Sequence, residues 1–144
     1  MDCIFCSIAA GRVPAEIVYS GNRVLAFLDV NPIHPGHVLI IPKRHSRDLT
    51  ELPEEVLGEL MLATQTVAAG LVHSLDLQGF NLFSNNGAIA GQSVFHFHLH
   101  VTPRYPQDNI RFVHGTKEYG PGEMAAVGER IRQAIRDNVS SKEQ

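Results

Sequence analysis

The chain has 144 residues, 44% of them hydrophobic, which is enough for one domain with one core and too short for two of ordinary size. Its formal net charge of -3 argues against a broad basic surface that would hold DNA or RNA, while leaving room for a local site for a small anion. The start, Met1-Asp2-Cys3-Ile4-Phe5-Cys6, has no basic region ahead of a long apolar run, and no segment reads as a bilayer span. A cytoplasmic location without membrane partners is therefore expected.

In chain order, residues 4–10 predict a short helix stopped by Gly11. After Pro14 comes a hairpin of strands 17–20 and 23–29 about a Gly21-Asn22 turn. Residues 30–36, with two prolines and a glycine, read as a loop, and 37–41 as an apolar strand stopped by Pro42. Thr50 is the expected N-cap of a long amphipathic helix ending near Ser74, and its apolar spacing runs through Val56, Leu60, Thr64, Val67 and Leu71. A strand is expected over 80–84. The following Asn85-Asn86-Gly87 to Gly91-Gln92-Ser93 connection can turn backbone amides toward an anion, or is a plain hairpin loop. Beyond Pro103 the chain reads as irregular to Pro121, then as a helix over 123–138 and a frayed tail over 140–144.

Two features carry chemistry. His96, His98 and His100 alternate with Phe97 and Leu99 inside an apolar stretch, 94–101, read as a strand. Extended geometry places Phe95, Phe97, Leu99 and Val101 on one face and three imidazoles on the other, about 6.6 to 7 Å apart. Imidazole nitrogens away from water are costly without partners, so such a strand is either solvated or built to bind something, and it reads as an active-site strand. The only cysteines form Cys3-x-x-Cys6, which suits a zinc half-site or a redox pair. Tetrahedral zinc would need two more ligands, with His45 and one member of the histidine cluster as candidates. His34 and His73 read as surface or cap residues, and His114 receives no role.

The string Gln92-Ser93-Val94-Phe95-His96-Phe97-His98-Leu99-His100-Val101 resembles the signature of the histidine-triad family, His-φ-His-φ-His-φ-φ with φ apolar, departing only at Thr102. Phe27-x-Asp29-x-x-Pro32, Gly36-His37-x-Leu39-x-Ile41-Pro42-Lys43-x-His45 and Asn85 ahead of Gly91 are similar to further family blocks. The resemblance covers residues 3–105 and is strongest to the Hint branch. It implies an α+β fold, with a mostly antiparallel five-stranded sheet and helices on one face. A single domain over 1–139 would join a second copy by extending the sheet.

The resemblance also implies roles. His98 would attack the α-phosphorus of a nucleotide to form a nucleotidyl-histidine, with His100 and His37 contacting the phosphate. Ser93 and the backbone around Gly91, Gln92 and Val94 would hold phosphate oxygens or the leaving group, with Asn85 beside them. Asp29 would take the ribose hydroxyls, and Ile4, Phe5, Ile8, Phe27, Val30 and Leu39 would wall the base. His96, the first of the triad's catalytic set, would join Cys3, Cys6 and His45 around a structural zinc. The implied activity is hydrolysis of purine nucleoside phosphoramidates or adenylates to AMP. The alternatives are hydrolysis of dinucleoside polyphosphates and a non-enzymatic, zinc-stabilised nucleotide-binding protein. A uridylyltransferase fits less well, because that branch carries Gln where His100 stands. The chain has no Trp, and its segment after Tyr105 diverges from the tryptophan-bearing tail of better-known Hint proteins. Chemically, an ordinary imidazole pKa near 6.5 leaves a lone pair free at neutral pH, and a phosphorylated ring nitrogen is also a good leaving group.

Overall fold

The computed structural model describes residues 3–142. Its elements are α1 (Ile4–Ala9), β1 (Ile17–Ser20), β2 (Val24–Leu28), β3 (Val38–Pro42), α2 (Glu54–Leu75), β4 (Gly79–Phe83), β5 (Leu99–Arg104) and α3 (Glu123–Lys142). The chain divides into two units, residues up to 108 and residues from 109.

In the first unit the strands form one sheet of order β1-β2-β3-β5-β4, every neighbouring pair antiparallel. The central strands β2 and β3 are apolar at successive positions, and because side chains alternate, both sheet faces need cover. Val24, Ala26, Val38 and Ile40 share one face with Val101, and α2 lays Val56, Leu60, Ala63, Val67, Ala68 and Leu71 on it. Leu25, Phe27, Leu39 and Ile41 occupy the other face, where α1 contributes Phe5 and Ile8. The helices thus sit on both faces, not on one as the family resemblance implied. Full burial of side chains such as Ile40 and Leu60 stabilises the fold by about 1.5–3 kcal/mol each.

Local details shift the predicted boundaries. Thr50 does not cap α2. Asp48 instead accepts from the Thr50 N–H at 2.9 Å and closes a 3-10 turn over Leu49–Glu51. α2 itself starts after Pro53, with Glu54 and Glu55 favourably placed in its first turn, and ends at Asp76 in the left-handed region. By length and composition α2 is apolar enough to cross a bilayer, contrary to the sequence expectation of no such run, yet its apolar stripe lies in the core. Pro42 is the last residue of β3, not a stop before it ends.

The largest departure is the histidine segment, where β5 begins only at Leu99. The Pro42 carbonyl at the end of β3 is taken by the His96 ring, and the Phe97 N–H goes to the Ser46 carbonyl at 2.7 Å, so the chain leaves the sheet here. Phe97 and Val101 are buried in one core as expected, but Phe95 is 42% exposed.

Gly36 precedes His37 with φ +95°, and a Cβ there would lie 2.8 Å from Leu75 Cδ1 and 3.3 Å from Pro103 Cγ. Gly36→Ala is expected to cost roughly 2 kcal/mol and lower Tm by several degrees in calorimetry; an unchanged Tm would contradict this packing.

In the second unit, residues 109–120 are irregular and α3 runs four residues past its predicted end. Glu129 pairs with Arg132 and Arg136, each at 2.9 Å, exposed contacts of small energetic weight. Ser140 and Ser141 of the predicted tail fall within α3, while residues 143 and 144, like residues 1 and 2, lie outside the described residues.

Candidate functional site

Three backbone groups fix the chemistry of His96, His98 and His37, and His37 in turn fixes that of His100, because a carbonyl can only accept and an amide N–H can only donate. His96 is fully buried, and its Nε2–H donates to the Pro42 carbonyl at 2.8 Å, leaving Nδ1 as a lone pair. That lone pair lies 3.4 Å from Cys3 Sγ and 3.5 Å from Cys6 Sγ, while His45 Nδ1 is 3.4 Å from Cys6 Sγ. One ligand atom from each of Cys3, Cys6, His45 and His96 lies within 4.8 Å of the others. The S···N edges match the ~3.6 Å of a zinc tetrahedron with ordinary bond lengths. Burial, then the adjacent Cys3, pushes the Cys6 thiol up, a penalty that a dication would reverse. The residues fit zinc. Four protein ligands would close the coordination sphere, and the Pro42 carbonyl would hold the His96 ring in the tautomer a metal needs.

On the substrate side, the His98 Nδ1–H donates to the His96 carbonyl at 2.8 Å, so Nε2 carries its free lone pair. Phe5 meets the ring edge-on at 5.2 Å. The Ile33 N–H donates to His37 Nδ1 at 3.1 Å, which places the His37 proton on Nε2. That Nε2–H faces His100 Nδ1 at 2.9 Å, and His100 in turn must carry its proton on Nε2. His100 Nε2 is buried and has no hydrogen-bond partner among the described residues. The result is a lone pair on His98 and an unsatisfied N–H on His100, in rings 4.8 Å apart. Phe83 stacks flat on His100 at 4.5 Å. Asp29 Oδ2 lies 3.8 Å from His37 Nδ1, and its Oδ1 accepts the Asn31 N–H at 2.9 Å.

Burial pushes the His100 pKa down to about 4, with His98 and His37 adding to the shift and Asp29 opposing it. Burial lowers His37 and His96 as well. Between the ordinary imidazole value and about 4, the unfolded chain binds protons that folded His100 does not. Stability is therefore full above pH ~6.5 and falls as pH drops toward 4. The urea midpoint should be lower at pH 5 than at pH 7.5, by a smaller margin in His100→Gln; an equal margin in both proteins would contradict a buried neutral His100.

A cleft of about 460 Å³ opens beside these rings. It brings together Ile4, Phe5, Ile8, Phe27, Asp29, Val30, Leu39, Ser93, Val94, His98 and His100, all singled out from the sequence. Asn85, Gly91 and Gln92 do not line it. The amides of Gly91 and Gln92 are bonded to the carbonyls of Ala88 and Gly87, and the buried Gln92 side chain joins Gly87, Arg47 and Val94. Sequence reasoning missed Phe83, Ile33 and the Pro42 carbonyl. Phe83 reaches His100 only through the β4–β5 register, and the other two act through backbone groups that no motif marks. It also missed Val13, Pro14, Ala15, Leu28 and Asn31 on the cleft wall.

The HIT domain family matches residues 10–107. The chain belongs to the HIT family. The match ends one residue short of the boundary of the first unit. "Protein hit" of Bacillus subtilis is 42% identical to this HIT protein over 137 residues, 93% of this chain and 94% of that one. Adenylylsulfatase HINT3 of Arabidopsis thaliana is 40% identical over 107 residues, 74% of this chain and 54% of that longer protein. Among solved structures, the histidine triad nucleotide-binding protein of Candida albicans has a TM-score of 0.83 at 29% identity, covering 94% of this chain and 99% of that one. A zinc-bound histidine triad family protein from Mycobacterium smegmatis has a TM-score of 0.72 at 38% identity, covering 81% and 85%.

Proposed function

We propose that this HIT protein hydrolyses purine nucleoside phosphoramidates or adenylates at the α-phosphorus through a nucleotidyl-His98 intermediate, releasing AMP. The observation that carries the reading is the His98 tautomer: with Nδ1–H given to the His96 carbonyl, the lone pair of the neutral ring lies on Nε2, where a nucleophile needs it. In a phosphoramidate, that lone pair would form an N–P bond while the P–N bond to the amine breaks and the amine leaves with a proton. Water would then attack phosphorus, give up a proton and free AMP, so that the two steps balance and His98 returns to its starting form. The unpartnered His100 Nε2–H is a donor for the phosphoryl oxygen that gains charge, held in orientation by His37. Asp29 suits the ribose hydroxyls, and Phe5, Ile8, Phe27 and Leu39 suit a purine face.

Zinc on Cys3, Cys6, His45 and His96 would serve structure, since a closed tetrahedral site keeps no position for a reacting water. The exposed Phe80 and Leu82 on edge strand β4, with Met61 on α2, support a sheet-extended homodimer. HINT3's name gives a relative that acts on an adenylyl compound, in keeping with this substrate class.

Steady-state AMP release tests the reading. Adenosine 5′-phosphoramidate should be turned over at least tenfold more efficiently than a diadenosine polyphosphate. The reverse order would move the assignment to dinucleoside polyphosphate hydrolysis, and AMP binding without turnover of either would make this a binding protein.

A further inference from the structure

Asp108 is a carboxylate of the first unit that the proposed chemistry does not use, its side chain only 5% exposed. Arg104 grips it with two hydrogen bonds, Nε to Oδ2 at 2.6 Å and Nη2 to Oδ1 at 2.9 Å, and spends Nη1 on Asn81 Oδ1 at 2.7 Å. The Tyr105 N–H adds a bond to Oδ2 at 3.1 Å. Such a staple would be complete as a clamp between β5 and β4. Oδ2 nevertheless also meets His34 Nε2 at 3.4 Å, across from a loop 74 residues earlier, and the His34 ring stands edge-on to Tyr105 at 5.2 Å.

His34 belongs to the loop that sets the His37 tautomer. Its carbonyl accepts the His37 N–H at 2.9 Å, and its neighbour Ile33 donates to His37 Nδ1. Pro32 and Pro35 stiffen the same loop, so that holding His34 holds the Ile33 N–H with it. We propose that Asp108 is a positioning residue: by anchoring His34 it fixes the loop whose Ile33 N–H keeps the His37 proton on Nε2, aimed at His100. If the loop slackens, His37 can place its proton on Nδ1, beside Asp29 Oδ2, and His100 loses the donor that orients it. This inference rests on the reading of His37 and His100 as a substrate-binding pair.

The test uses zinc-loaded protein labelled with ¹⁵N-histidine, in which long-range ¹H–¹⁵N spectra report the tautomer of each ring directly. Wild-type His37 should show the Nε2–H form alone. In Asp108→Asn and in His34→Ala, His37 should become a mixture of both tautomers and kcat for adenosine 5′-phosphoramidate should fall by about ten- to a hundredfold. AMP affinity should stay within about threefold. His34→Gln keeps a donor toward Asp108 and should restore both readouts. If Asp108→Asn does not fold, His34→Ala decides the matter alone, because the His34 ring, 22% exposed, packs edge-on against the exposed Tyr105. Folded variants with wild-type His37 signals and wild-type kcat would overturn the proposal and leave Asp108 as a clamp between strands. A wild-type protein without turnover would instead sink the hydrolase reading, and the tautomer comparison would still decide the role of Asp108.

Discussion

A His98→Ala variant is expected to bind AMP within a few-fold of wild type while AMP release from adenosine 5′-phosphoramidate falls by at least about a thousandfold. Binding survives because the cleft walls, Phe5, Ile8, Phe27 and Leu39, and the ribose-side Asp29 remain. Turnover is lost because no other ring offers a nucleophile: His100 Nδ1 is occupied by His37, His37 Nδ1 by the Ile33 N–H, and His96 Nδ1 points at the cysteine sulfurs. His98→Ala also removes the edge contact to Phe5, so a small loss of stability should accompany the kinetic loss without explaining it. Isothermal titration with AMP and single-turnover assays separate the two effects. A variant retaining a tenth of wild-type turnover would show that the bond is broken without a covalent step on His98.

With zinc held as proposed by Cys3, Cys6, His45 and His96, its removal should have the largest effect on stability. α1 has six residues, too few to persist on its own, and it is held by Phe5 and Ile8 on one side and by the two cysteines that flank its first turn on the other. Without a cation the two sulfurs and two imidazoles lose the charge that brings them together, and His96 keeps only its bond to Pro42. Protein purified without added metal should contain about one zinc per chain. Chelation, or Cys3→Ser with Cys6→Ser, should lower Tm by roughly 10 °C or more. Turnover should fall mainly through loss of the cleft wall that Ile4, Phe5 and Ile8 provide. Less than about a tenth of an equivalent of zinc, together with a Tm indifferent to chelator, would contradict a metal-held fold.

Legibility in the sequence followed the range of the interactions. β1 has the predicted bounds, and the apolar runs of β2 and β3 and the end of α2 were readable within a residue, because local periodicity dictates them, while α2 is capped three residues later than expected. The cysteine pair pointed to His45 and one member of the histidine cluster as further ligands, but only the family resemblance singled out His96, since nothing local ties residue 6 to residue 96. The start of β5 was misplaced because the His96 ring competes with the ladder for the Pro42 carbonyl, a tertiary contact invisible to alternation. The backbone amides near Gln92 were read as facing phosphate; those of Gly91 and Gln92 bond to the carbonyls of Ala88 and Gly87, and the Gln92 side chain bridges Gly87, Arg47 and Val94, contacts that no motif marks. The tautomers, on which the chemistry turns, depend on Ile33 N–H and two carbonyls, groups every residue carries, so no choice of side chain announces them. His34, read from the sequence as a surface residue, illustrates the same limit through its contact with Asp108.

The most direct test of a nucleotidyl-His98 intermediate is rapid acid-free quench of the zinc-loaded protein with adenosine 5′-phosphoramidate, followed by intact and peptide mass spectrometry. The account predicts one AMP per chain within a single turnover, mapped to His98, absent in His98→Ala and decaying at the rate of AMP release. AMP release at the wild-type rate with no adduct at any time point, or with the adduct on His96 or His100, would contradict it.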